Sequence, residues 1–254
     1  MTTADGTTGP GTTGHGSAPQ GARARARIEV TAAIKGEARR QLADDGAAKL
    51  SLRAVARELG MVSSALYRYF PSRDDLLTAL IIDAYNAVGE CAEAARDDFA
   101  DAGPARRWVA VCEGVRRWAL AHPHEYALIY GSPVPGYRAP ETTVPAAARV
   151  GEVFIGILRD AHQGLGLAKP PLPADLRPEG RRMAADLAPD LPPETAVALV
   201  AAWSQLFGLV GFEVFGQFHR VVEDRERFFR HAASQLAQGV GLVYPQTGPA
   251  DGAR

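Results

Sequence analysis

Residues 51–70, SLRAVARELGMVSSALYRYF, hold two short helical patterns separated by a glycine. Ser51 is a good N-cap, and Leu52, Val55 and Leu59 give the stretch Leu52–Leu59 one apolar stripe, with Arg53, Arg57 and Glu58 outside it. Gly60 breaks this helix and supplies the left-handed backbone of a tight turn. Ser63 and Ser64 open a second short helix that runs through Tyr69, and Leu59, Val62 and Leu66 are placed to pin the two together. On the outward face of the second helix stand Ser63, Ser64, Tyr67 and Arg68, with Tyr69 at its end. Such groups donate to phosphate oxygens or reach base edges in a major groove. An ordinary amphipathic pair in a bundle shares the helix-glycine-helix outline. The paired serines, the aromatic and basic outer face and the local charge separate this pair from that case.

The charge is uneven around the motif. Between Gly21 and Arg73 eleven Lys and Arg stand against five Asp and Glu, a local +6. The whole chain carries −1, so the remainder carries −7. A basic N-terminal module on an acidic body is expected where one end meets a polyanion. Upstream, Val30, Ile34, Ala38 and Leu42 recur every fourth residue in a helix over Ile28–Asp44, which Gly46 ends as a C-cap glycine. Downstream, Pro71 stops the second motif helix, Ser72 caps the next, and a long helix runs from Arg73 to about Ala100.

Helical signals continue over Ala105–Ala121, Glu125–Tyr130, Thr143–His162, Pro193–Gln217 and Asp224–Val240. Pro-rich breaks interrupt them at Gly131–Tyr137 and from Gly166 to Pro193. No run alternates apolar and polar residues between hairpin signals, so the predicted fold is all-α. It comprises a three-helix helix-turn-helix domain and a larger helical bundle. The expected organisation is a disordered tail over 1–23, a DNA-binding domain over 24–84, an effector-binding and dimerisation domain over 85–242, and a flexible tail over 243–254. Arg23, Arg25 and Arg27 fall in or beside the first tail, as a solvated arm or one that reaches DNA.

Residues 1–20 are mostly Gly, Thr, Ser and Pro with no apolar stretch, which argues against a secretory signal and for disorder. Ala196–Gly216 is nearly long enough to cross a membrane, but Ser204, Gln205 and Glu213 interrupt it. A helix buried on most sides of a soluble, cytoplasmic protein explains it better, with Gln205 and Glu213 as buried polar groups bonded to an effector or to another helix. Cys91 and Cys112 have neither metal-ligand nor disulfide spacing.

The run from Ile28 to Leu80, above all ADDGAAKLSLRAVARELGMVSSALYRYFPSRDDLLTAL, resembles the N-terminal domain of tetracycline-repressor (TetR/AcrR) family transcriptional regulators. Tyr69 stands where a His is common in that family. His122-Pro123-His124-Glu125-Tyr126 through Ile129–Tyr137, and Ala202–Gly208, resemble a C-terminal ligand-domain type of the same family. The resemblance implies that Ser63, Ser64, Tyr67 and Arg68 contact bases or phosphates, and that Tyr69 and Arg73 contact phosphates. Ser51 and Arg53 open the preceding helix. Ser51 either caps only or also touches DNA, and Arg53 suits a guanine edge, worth about 1–3 kcal/mol if bidentate.

The expected protein is therefore a sequence-specific regulator of transcription: a homodimeric, ligand-released repressor on a palindromic double-stranded operator. An activator, a ligand-independent regulator, and a helical ligand carrier or enzyme are the alternatives. No HExxH, no GxSxG elbow and no phosphate-cradling glycine loop occurs, so neither catalysis, metal nor cofactor is expected. For the effector pocket the aromatic candidates are Trp118, Tyr126, Tyr130, Trp203, Phe207 and Phe212, each of which is equally at home in a plain core.

Overall fold

α1 (Ala18–Asp45), α2 (Leu52–Glu58), α3 (Ser63–Leu66) and the first half of α4 (Arg73–Asp97) build the N-terminal unit in the computed structural model, which describes residues 18–243. Helices of 7 and 4 residues cannot hold alone in water, so tertiary burial must stabilise α2 and α3. It does so through Ile34, Ala38 and Leu42 of α1, which close on Leu52 and Val55 of α2, Leu66 of α3, and Leu76, Leu77 and Leu80 of α4. Each large aliphatic side chain buried this way contributes about 1.5–3 kcal/mol.

α4 continues from this core into a second one. Its Ala84, Val88 and Ala92 pack with α5 (Pro104–Ala121), α7 (Val144–Gln163), α9 (Pro193–Val214) and α10 (Arg225–Gly239) around Trp108, Phe154 and Phe229. α6 (Pro123–Tyr130) lies where the two cores meet and touches both α1 and α4. Ion pairs reinforce that junction: Lys35 and Arg39 of α1 both reach Asp83 of α4, at 2.7 and 2.6 Å, and Arg39 reaches Glu125 of α6 at 3.4 Å. The described residues contain ten α-helices and no strand, so the fold is all-α.

Several expectations need correction. α1 begins at Ala18, ten residues before the predicted start at Ile28, so Arg23, Arg25 and Arg27 are helical rather than in a disordered arm. Ala and Arg are strong helix formers, but residues 21–29 are exposed and carry no apolar stripe to betray the helix. The rest of the tail reading, residues 1–17 and 244–254, lies outside the described residues. The second Pro-rich break contains α8 (Arg177–Leu187). Its proline sits in the first turn, where a missing N–H costs nothing, and Arg182 clamps Glu179 and Asp186 along the surface. Gly180 allows close packing, since a Cβ there would stand 3.1 Å from Leu172 and 3.2 Å from Val197.

α9 is less enclosed than its apolar sequence suggests. It is long and apolar enough to pass for a membrane span, yet only a third of its most apolar window is buried. Gln205 is exposed and merely donates to the Ala201 carbonyl, whereas Glu213 is buried and held by Arg116 of α5 through two 2.6 Å hydrogen bonds. Ala201, Gly208 and Phe212 share the open face with Gln205.

Candidate functional site

The turn between α2 and α3 is a Schellman closure. The Met61 N–H donates to Ala56 O at 2.8 Å, and the Gly60 N–H donates to Arg57 O at 3.1 Å. Gly60 has φ +64°, a region that costs an L-residue about 1–2 kcal/mol. Ser51 caps α2 by accepting from the Ala54 N–H, and Ser72 caps α4 by accepting from the Asp75 N–H. Leu59, Met61 and Leu66 join the two motif helices. Val62, expected in that role, is 70% exposed instead, because the turn rotates it outward.

The turn leaves Ser63, Ser64, Tyr67 and Arg68 exposed together on and just beyond α3. Arg53 is exposed at the start of α2, and with Ser51, Tyr67, Ser72 and Arg73 it borders one shallow hollow of about 460 Å³. Among the described residues, Arg53 and Arg68 have no ion-pair partner, whereas Arg40, Lys49 and Arg57 are paired with neighbouring acids. Two free guanidiniums thus stand beside the exposed hydroxyls. Tyr69 is half-buried, and the Arg27 guanidinium lies 5.1 Å above its ring, which places the helical extension of α1 beside the end of α3. Arg73 is differently engaged. It donates to Leu50 O, Ala47 O and Ala48 O, tying the 3₁₀ turn before α2 to the start of α4. Ser72 was legible in sequence only as a cap.

Four of the six aromatic pocket candidates, Tyr126, Tyr130, Phe207 and Trp203, pack in one chain, but they do not line one cavity, and Trp118 and Phe212 stand apart from them. Trp118 is buried and stacked on His122, and Tyr126 is buried with its hydroxyl donating to Phe207 O at 2.8 Å. Tyr130 stacks on Phe207 at 4.0 Å, and its hydroxyl is buried without a protein partner. Phe212 is 54% exposed on the open face of α9. Trp203 alone of the six borders the large apolar cavity of about 980 Å³ that lies between α4, the Ile129–Thr143 segment, α7, α8 and α9. Tyr85, Tyr137, Gly151 and Glu152 share that wall. Burial, with the Tyr137 hydroxyl nearby, raises the Tyr85 phenol above its ordinary pKa. Tyr85 and Gly151 carried no motif in the sequence and are brought there only by the packing of α4 on α7.

A helix-turn-helix with an open polar and basic face, joined through α4 to a larger helical bundle, defines a DNA-binding regulator of transcription. The family model described as "Bacterial regulatory proteins, tetR family" matches residues 36–80, and "Tetracyclin repressor-like, C-terminal domain" matches 108–236. HTH-type transcriptional regulators of Mycobacterium tuberculosis and Mycobacterium bovis are 40% identical over 201 residues, covering 78% of this chain and 86% of theirs. The crystal structure of regulatory protein SCO4313 is 33% identical, with a TM-score of 0.71 over 85% of this chain and 98% of that one. A structure from Rhodococcus sp. RHA1, 22% identical with a TM-score of 0.62 over 90% of this chain and 98% of that one, shares the fold. The chain belongs to the TetR family of transcriptional regulators.

Proposed function

We propose that the chain is a cytoplasmic, homodimeric repressor that leaves a palindromic operator when a small molecule occupies the cavity beside α4. The observation that carries this reading is one segment serving two cores. The stretch after α6 lines the cavity through Ser132, Val134 and Tyr137, and its Val134 and Tyr137, with Leu128 of α6, also pack against the DNA-binding core. The Tyr137 and Thr78 hydroxyls share a 2.9 Å hydrogen bond, which ties the cavity wall to α4 directly. A compound that moves this segment changes where α4 holds the motif. It releases DNA only by binding the DNA-incompetent arrangement more tightly, and DNA then weakens its binding by the same factor.

On the DNA side, Ser63, Ser64, Tyr67 and Arg68 enter the major groove, and Ser51, Arg53 and Tyr69 hold the flanking backbone. Arg73 acts through the turn it braces, its remaining nitrogen being paired with Asp74 at 3.6 Å. Two half-sites need two motifs about 34–36 Å apart, or a multiple of that, and a symmetric dimer supplies them. The open faces of α9 and α10, with Phe212 and Phe228 exposed beside Ala201 and Gly208, are of the kind that pair in a four-helix arrangement.

The test is selection of binding sites from random DNA, followed by a screen for compounds that release the selected site. A palindrome and at least one releasing compound that also raises the melting temperature of the free protein are expected. A selected site that no cavity-binding compound weakens removes the ligand-released part of the reading.

A further inference from the structure

The cavity beside α4 combines an apolar body with an acidic rim. Its wall contains no Lys, Arg or His, and its only ionisable side chains besides two tyrosines are Glu152 and Asp186, both exposed at the edge. The two carboxylates are not equivalent. Asp186 is held by Arg182 at 2.9 Å, a guanidinium it shares with Glu179, so its charge is partly offset. Glu152 has no ion-pair partner among the described residues. Arg149, one turn away on α7, is turned toward α4, where it bonds Glu93 at 2.7 Å and Asn86 at 2.9 Å. Arg138 stands between two wall residues but is exposed and outside the wall.

At the neighbouring position, Gly151, the wall is an indole. Gly151 lets the Trp203 ring lie against α7, since a Cβ at that position would stand 3.3 Å from the ring. A volume of about 980 Å³ is at the upper end of the roughly 300–1,000 Å³ typical of small-molecule sites. Moving an anion into such a space leaves it with no countercharge and one carboxylate to oppose it. A cation meets that carboxylate and the face or edge of an indole, and a neutral molecule meets neither cost nor gain.

From this geometry we infer that the cavity takes an apolar molecule bearing a positive charge, accepts neutral ones more weakly, and rejects anions, with Glu152 as the residue that reads the charge. The inference rests on the cavity being the effector site of the proposed function and adds the chemical class of its occupant.

The experiment is calorimetric titration of the full chain, without DNA, with three octyl compounds that differ only in their heads: octyltrimethylammonium, octanol and octanoate. The cation binds tightest and the carboxylate weakest, with about a fivefold step from cation to alcohol, as expected for a partly exposed carboxylate assisted by a ring. Glu152→Gln closes the gap between cation and alcohol while leaving the alcohol's affinity in place, which also shows that the variant is folded. Glu152→Lys brings octanoate above the cation. Gly151→Val, which pushes a side chain against Trp203, weakens all three and so locates the site. Octanoate binding as tightly as the cation, a cation-to-alcohol ratio untouched by Glu152→Gln, or no binding by any of the three overturns the inference. Ranked binding without operator release leaves it standing and removes the ligand-released repressor reading instead.

Discussion

At the scale of single residues, two positions carry more than their neighbours. Gly60 holds φ +64° at the centre of the motif, and no atom outside its own surroundings lies within 4 Å of where a Cβ would go. Gly60→Ala therefore costs the backbone term alone, about 1 kcal/mol, which for a chain of this size lowers the melting temperature by roughly 2–4 °C. A larger loss, or none, in a thermal melt would show that the turn is held by something other than its dihedrals. Glu213 is the opposite case, a buried carboxylate whose cost is met by Arg116. Breaking a fully buried pair from one side costs about 3–5 kcal/mol; because Arg116 is partly exposed, Arg116→Ala is expected to cost about 2–3 kcal/mol in a denaturant titration. Adding Glu213→Gln should recover part of that loss, since it removes the stranded charge. If the double variant is no more stable than Arg116→Ala alone, the pair contributes by packing, including the Arg116 guanidinium 5.4 Å from the Phe229 ring, rather than by charge.

At the scale of elements, what could be read in the sequence was what repeats locally. The motif helices announced themselves through Ser51, Gly60 and the Leu52–Val55–Leu59 stripe, and their outer face was visible as Ser63, Ser64, Tyr67 and Arg68. The helical start of α1 was not legible, because an exposed Ala/Arg segment has propensity without periodicity. α8 was hidden by prolines that in fact stand at its first turn and in the loop before it. The cavity was hidden for a different reason: its walls come from α4, α7 and α9 at once, and nothing local marks Tyr85, Gly151 and Trp203 as neighbours. The open face of α9 is the element on which dimerisation is predicted. Gly208 is exposed on it with nothing within 4 Å, so the single chain tolerates a large side chain there. Gly208→Trp should consequently leave helicity and melting of the monomer unit intact while light scattering reports loss of the dimer. An unaltered dimer would move the interface away from α9.

For the whole molecule, the link between cavity and motif runs through the segment after α6 and the Thr78–Tyr137 bond. Tyr137→Phe should leave the operator affinity of the ligand-free protein nearly unchanged and reduce the factor by which a cavity-binding compound weakens it. An unchanged factor would place the coupling elsewhere, for example in the Arg39 pairs to Asp83 and Glu125. All of this depends on α3 meeting DNA, and the most direct measurement is a titration of the selected operator with the native chain and with the Tyr67→Ala, Arg68→Ala double variant, repeated as salt rises from about 50 to 200 mM. Both side chains are exposed and outside the core, so the variant stays folded. The native chain is expected to bind tightly and to lose affinity steeply with salt, as phosphate contacts release counterions, while the variant no longer distinguishes the operator from random DNA. A double variant that binds the same site with the same affinity, or a native chain indifferent to salt, would contradict the account.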